Sequence, residues 1–295
     1  MAVVRYGHAN GDDSINPVWD PLMRLLVFQS VWAMDGLPGV DLETRPEEAL
    51  ARIARAGFDG AGVNIVRKRR AEATARVMAE HGLTWEAQAL VHNADELARY
   101  VDAAHALGGA HHFNVQIAAG AATLAEALAL IDSLEAVAAT APMPVFYETH
   151  RGRLTNDLYF TGRILDARPQ LKLTGDLSHY VNAHEMALPV DPDIERRMQA
   201  VIGACQAFHA RVAGPNQVQV GLDAAQNRGW LETFRRWWAD GIARWRTRAG
   251  PDDTLAVMCE LGPPPYAMVD AEGREFSDRW QDALALTTMF REMWK

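Results

Sequence analysis

The stretch Pro144-Val145-Phe146-Tyr147-Glu148-Thr149-His150-Arg151 decides the fold, because it places a carboxylate, an imidazole and a guanidinium directly after a short β-type run. Three later stretches repeat this design: LKLTGDLSH at 171–179, AFHAR at 207–211 and LAVMCE at 255–260. Each is an apolar run that leads to Asp, His or Glu. Four strands with such ends predict side chains that converge on one point at the mouth of a parallel barrel.

Along the chain, β-type and helix-type runs alternate eight times. In the first half the helices end at glycines, and the stops Gly57, Gly82 and Gly108 fall 25 and 26 residues apart. Capping patterns predict helix starts at Thr44 with Glu47, Asn93 with Glu96, and Asp191 with Pro192. The predicted strands are 25–31, 58–66, 83–91, 111–117, 145–148, 171–176, about 208–212 and 255–260. The predicted helices include 71–81, a run towards 107, 124–139, one within 157–167, 192 to about 206, about 230–245 and 278–293.

Eight alternations predict an α/β fold, a closed (β/α)8 TIM barrel, because strands joined by crossover helices pair in parallel and eight can close into a ring. Residues 22–295 would form this single domain. Residues 1–21 are polar and turn-rich, and we expect them to form a surface extension. The competing fold is an open doubly wound sheet, which usually carries a Gly-rich phosphate loop after the first strand. No such loop follows residues 25–31.

Composition narrows the class of protein. The chain has 295 residues, 49% of them hydrophobic, and a formal net charge of −9. This charge argues against a nucleic-acid or anionic-membrane surface, and the basic run RKRR at 67–70 is interpreted as a solvated helix start. Two cysteines, no signal-peptide pattern and no apolar run of about 20 residues predict a cytoplasmic protein that handles small ligands.

Four of the strand-end residues, Glu148, Asp176, His209 and Glu260, form a candidate metal site. Each alone is often a helix cap or a salt-bridge partner. Three carboxylates and an imidazole buried together cannot all stay charged and unpaired, whereas a divalent cation would balance them. One nitrogen and three oxygen ligands suit Mn²⁺, our first expectation, and also Mg²⁺, Co²⁺ or Zn²⁺.

Other polar residues lie close to the same strand ends. His179 is expected to contact substrate, although a second metal ligand or a loop histidine are alternatives. Arg211 is expected to hold a substrate oxygen or to orient a ligand carboxylate. Further candidates for binding substrate are His150, Asn114, Gln116 and His92, with Arg151 and Asn64 beside them. By contrast, Trp230, Trp237, Trp238 and Trp245 are expected to pack against the barrel or a partner subunit, and Cys259 to face the helices.

The series Glu148, Asp176 with His179, His209 and Glu260 resembles the xylose isomerase-like superfamily, in particular its sugar phosphate isomerase/epimerase group with ketose 3-epimerases and hydroxypyruvate isomerase. The resemblance implies one divalent metal held by four of these residues. It also implies acid and base roles for Glu148 and Glu260, and substrate contact by His179. Two positions depart from the ketose 3-epimerase pattern: Pro215 stands where those enzymes have arginine, and Leu154 where they have glutamate.

The first functional hypothesis is a metal-dependent isomerase or epimerase of a sugar or related hydroxy-carbonyl compound. It would act through a metal-stabilised enediolate with two glutamates as acid and base. A lyase that performs β-elimination on a keto-sugar or oxidised glycoside is the alternative, with His150, His179 or Tyr266 near the leaving oxygen. A non-catalytic binding barrel is the third. The apurinic endonucleases of the superfamily need further zinc ligands, and GLDAA at 221–225 lacks the required histidine. We also expect a homo-oligomer.

Overall fold

Eight parallel strands close into a barrel in which every strand pairs with its neighbours in chain order. The computed structural model describes residues 23–118, 120–121 and 123–295, so the predicted N-terminal extension lies outside the described residues. The strands are β1 Arg24–Ser30, β2 Gly60–Asn64, β3 Thr84–Val91, β4 Ala110–Ile117, β5 Val145–Glu148, β6 Leu173–Gly175, β7 Cys205–Ala210 and β8 Thr254–Cys259. Pairing of β1 with β8 closes the ring and confirms the (β/α)8 prediction.

Helices surround this barrel on the outside. They are α1 Pro46–Arg55, α2 Lys68–Glu80, α3 Ala94–Leu107, α4 Leu124–Ala138, α5 Leu158–Ala167, α6 Ser178–Ala183, α7 Pro192–Ala204, α8 Arg228–Arg246 and α9 Arg279–Trp294, with short 3-10 turns at Trp32–Met34 and Ala225–Asn227. The four predicted tryptophans of α8 are all buried in the core between barrel and helices. None of the helices in the described residues is long and apolar enough to span a membrane.

The helix ends follow the sequence signals with one exception. Gly57, Gly82 and Gly108 all have positive φ angles, as predicted for helix stops. The Asn93 side chain accepts a hydrogen bond from the backbone N–H of Glu96, 3.0 Å away. The capping pair predicted at Thr44 is wrong. The Asp41 carboxylate accepts hydrogen bonds from the backbone N–H and the hydroxyl of Thr44. The N-cap of α1 is Arg45, one residue later than predicted, and no side chain caps the helix.

The barrel interior is packed tightly below the strand ends. Phe28, Phe146, Ala207, Ala256 and Met258 form a cluster separate from the core under the helices. On β2 the facing positions are glycines, and a Cβ added at Gly62 would lie 2.0 Å from the Met258 sulfur. These large side chains therefore fill the space that β2 leaves open, and the polar site sits above a filled floor. Cys259 lies on the other face of β8 and contacts Ala283 of α9, as predicted.

Candidate metal and substrate site

The four predicted metal ligands meet at the carboxyl ends of β5 to β8. Glu148 ends β5, Asp176 follows β6, His209 lies in β7 and Glu260 follows β8. One ligand atom from each residue lies within 4.8 Å of the other three, and all four residues are buried. Side chains separated by 112 residues of chain thus form one compact cluster, because the barrel brings neighbouring strand ends together.

This cluster has the chemistry of a cation site. His209 Nδ1 is buried and has no hydrogen-bond partner in the described part of the chain, although Glu260 Oε2 lies 3.3 Å away and Glu148 Oε2 3.8 Å away. Burial and the neighbouring carboxylates raise the pKa of Glu148 to about 8, against the opposing effect of His209. The donor set and the unpartnered nitrogen fit a divalent cation, which would relieve the repulsion among the carboxylates.

Neighbouring amides hold Glu148 in place. Asn114 Nδ2 donates to Glu148 Oε2 at 2.6 Å, and Gln116 Nε2 donates to the same oxygen at 3.1 Å. Both amides come from β4, the strand next to β5. Asn114 is fully buried, whereas Gln116 also lines the open cavity. The structure therefore places both predicted residues at the cluster, Asn114 as a support for Glu148 and Gln116 between Glu148 and the cavity.

Arg211 connects Asp176 and Glu260, two of the candidate metal ligands. Its Nη2 donates to Asp176 Oδ2 and, at 3.1 Å, to Glu260 Oε2. The same guanidinium lies 4.9 Å from the centre of the Tyr266 ring. Asp176 is held further by the backbone N–H and hydroxyl of Ser178. Arg211 thus lies where it orients ligand carboxylates and also lines the cavity.

Glu86 is a buried residue next to the cluster that the sequence did not predict. Its Oε1 lies 2.9 Å from His209 Nε2, and its Oε2 lies 3.0 Å from His112 Nε2. Burial alone would raise the pKa of Glu86, but the two imidazoles lower it below its usual range. The carboxylates around His209 in turn raise the pKa of that imidazole well above its ordinary value despite burial. This contact fixes the His209 ring with Nδ1 facing the cluster.

The two histidines predicted to bind substrate lie side by side. The ring centres of His150 and His179 are 3.8 Å apart, and His179 Nε2 lies 3.4 Å from Asp176 Oδ2. Burial lowers the pKa of His150 to about 4 and that of His179 well below its ordinary value, so both rings are neutral near pH 7. His150 lines the cavity. Arg151 turns aside and donates to Asn182 Oδ1 at 3.0 Å.

A cavity of about 330 Å³ opens above the cluster. Its wall includes Trp32 and Tyr266, whose rings meet edge to face at 5.1 Å, together with Asn64 and Gln88. Glu260 is the cluster residue that reaches this space. His92 does not line it: the side chain is 60% exposed and pairs with Glu96 at the start of α3, and its contact with substrate stays a prediction. The imidazole of His92 instead contacts the Glu96 carboxylate in the first turn of α3.

The closed barrel, with its cluster of candidate metal ligands at the carboxyl ends of β5 to β8, is a TIM barrel, and its fold is similar to that of xylose isomerase-like TIM barrel proteins. No protein-family model matches the chain, and no curated protein matches it in sequence. Solved structures do match in fold. D-allulose 3-epimerase from Methylomonas sp., in complex with D-allulose, is 16% identical with a TM-score of 0.59, over 92% of this chain and 97% of that one.

Two further structures show the range of proteins with this fold. A xylose isomerase-like TIM barrel protein from Mycobacterium smegmatis, in complex with magnesium, is 12% identical with a TM-score of 0.57, over 94% of this chain and 98% of that one. A probable 3-DHS dehydratase from Bacillus anthracis is 13% identical with a TM-score of 0.51, over 90% and 98%. At these identities the likeness establishes the fold and leaves the reaction to the site.

Proposed function

We propose that this protein is a divalent-metal-dependent isomerase or epimerase of a sugar or related hydroxy-carbonyl compound. The observation that carries the proposal is the pair Glu148 and Glu260, which reach one buried cluster from β5 and β8 together with Asp176 and His209. Two carboxylates on different sides of one point are what a proton removal and a proton return require. The D-allulose complex of a fold neighbour supports a small carbohydrate as the ligand.

The metal would be held by Glu148, Asp176, His209 through Nδ1, and Glu260. When bound, such an ion acts as a Lewis acid that polarises a carbonyl, which makes the adjacent C–H more acidic. Oxygen ligands with one imidazole suit Mn²⁺ or Mg²⁺, and the magnesium complex of a fold neighbour supports a hard cation of this kind.

The protein's own residues would carry the remaining steps. Glu260 lines the cavity and accepts a hydrogen bond from Arg211, and it would take a proton from a substrate carbon. Glu148, at the end of β5 and held by Asn114 and Gln116, would return a proton to a neighbouring atom or the opposite face. Trp32 and Tyr266 would cover the bound substrate and reduce its contact with water.

Replacement of Glu260 tests the proton-transfer role. The Mn²⁺-loaded protein is incubated in D₂O with a panel of ketoses and aldoses, and deuterium incorporation is followed by NMR. We expect exchange in the wild type and its loss in Glu260→Gln, which keeps the side-chain shape but cannot accept a proton. The control is Glu272→Gln, an exposed residue paired with Arg274 outside the cavity. Exchange retained by Glu260→Gln would exclude this residue as the base.

A lyase is the second candidate, because Tyr266 lines the cavity and offers a hydroxyl that can protonate a leaving oxygen. A probable dehydratase among the fold neighbours supports this alternative. Proton removal by Glu260 would be the same, followed by cleavage of a carbon–oxygen bond. Mass spectrometry of the products separates the two reactions, because isomerisation conserves the mass of the substrate and elimination divides it.

A further inference from the structure

The wall of the active-site cavity carries an excess of positive charge in a chain whose net charge is −9. Four arginines and two carboxylates line it: Arg67, Arg70, Arg153, Arg211, Asp35 and Glu260. The cavity is therefore suited to a ligand of opposite sign.

Two of the four arginines are already neutralised by acidic partners. Arg211 is bound to Asp176 and Glu260. Arg70 pairs with Asp35 at 2.9 Å and also with Glu43. The positive charges of these two guanidinium groups are therefore balanced by carboxylates of the protein. The unbalanced positive charge of the cavity wall therefore lies on Arg67 and Arg153.

Arg67 and Arg153 form no salt bridge with any carboxylate in the residues that the structure describes. Arg153 is half-buried, and its Nε donates to Gln116 Oε1 at 3.2 Å. Gln116 in turn donates to Glu148, so Arg153 is connected to the metal cluster through one amide. Arg67 follows β2 and lines the same cavity beside Asn64.

We propose that Arg67 and Arg153 bind an anionic group of the substrate, a carboxylate or a phosphate, while the hydroxy-carbonyl end lies at Glu148 and Glu260. The substrate is then a sugar acid or sugar phosphate in place of a neutral sugar. Guanidinium groups match the planar oxygens of both anions and form strong charge-assisted hydrogen bonds with them. This inference rests on the proposed function. It assigns Arg67 to substrate binding, whereas the sequence suggested only a solvated helix start.

The test uses the Mn²⁺-loaded protein and the variants Arg67→Gln, Arg153→Gln and their double combination. Arg196→Gln, an exposed arginine on α7 paired with Asp193, is the control. Binding of inorganic phosphate and of glycolate is measured by calorimetry, and the two probes distinguish a phosphate from a carboxylate site. We expect each single variant to weaken binding of the preferred anion about tenfold and the control to leave it unchanged.

A second readout compares fructose with fructose 6-phosphate and with a keto acid of the same chain length in the deuterium-exchange assay. The variants should lower the exchange rate of the anionic compound by a larger factor than that of the neutral compound, so that the preference for the anion is lost. Anion binding that is equal in the wild type and the double variant would place the anion at the metal and overturn the inference. So would a wild type that binds neither probe. Failure of the proposed function appears separately, as exchange that does not depend on Glu260.

Discussion

At the scale of single residues, Glu86 bridges the floor of the site and the candidate metal ligand His209. In Glu86→Gln the amide keeps the shape of the side chain but loses the charge that holds both imidazoles. Outer carboxylates of this kind typically contribute about 10–100-fold to metal affinity, so we expect a loss of that size for Mn²⁺. Calorimetric titration of the metal-free protein measures it.

The control for that variant is Glu80→Gln, which removes a carboxylate exposed at the end of α2 and paired with Arg76. It should leave Mn²⁺ affinity unchanged. Equal affinities for Glu86→Gln and the wild type, with both proteins folded by circular dichroism, would show that His209 does not need its carboxylate partner.

The sequence predicts the four cluster residues but misses Glu86 for a physical reason. Each predicted ligand lies at the end of an apolar run, where a barrel exposes its site. Glu86 lies in the middle of β3, and its partner His209 is 123 residues away in the chain. Only the closed ring brings these two side chains together. A charged residue inside the apolar pattern of β3, in phase with Gln88, was the available signal.

At the scale of elements, α8 packs on the barrel through a glycine. A Cβ added at Gly241 would lie 2.4 Å from Cζ of Phe208 on β7. Alanine has the higher helix propensity, by about 1 kcal/mol, but overpacking of a filled core costs about 1–3 kcal/mol. We therefore expect Gly241→Ala to lower the free energy of unfolding, as measured by denaturant titration.

The matched comparison is Gly162→Ala in α5, where an added Cβ meets nothing within 4 Å. Here only the propensity changes, and the free energy of unfolding should rise by about 0.5–1 kcal/mol. If both variants were stabilised alike, the close contact between α8 and β7 would not be a feature of the protein in solution.

Element order was predictable, whereas some boundaries were not. Glycines at helix ends and the spacing of apolar residues predict the order of the first four strand–helix units. The predicted strand 171–176 is shorter, Leu173–Gly175, because Leu171 still belongs to a turn through its bond to Arg168. α7 runs into β7 without a loop, so the pattern cannot separate them and the predicted strand lies too late. α6 has only six residues and shows no periodicity of its own.

At the scale of the whole molecule, the barrel collects buried carboxylates whose charge is balanced by protons and by Arg211 when no metal is bound. Without metal, the pKa of Glu148 is raised to about 8 and that of His209 well above its ordinary value. Both groups therefore carry protons near pH 7. Metal ligands must be deprotonated, so binding should release protons, and affinity should rise as pH increases through about 8.

Calorimetry at one pH in buffers of different ionisation enthalpy counts the released protons. We expect release near pH 7, diminishing as the pH is raised above the pKa of Glu148. An observed binding enthalpy that is the same in all buffers would contradict the protonated, metal-free cluster.

The proposed function requires that one divalent cation binds to Glu148, Asp176, His209 and Glu260. Crystals of the protein soaked with Mn²⁺ and measured at the manganese absorption edge test it directly. We expect one anomalous peak in contact with the three carboxylates and with Nδ1 of His209. A crystal without a peak there, or with manganese bound only elsewhere, would contradict it.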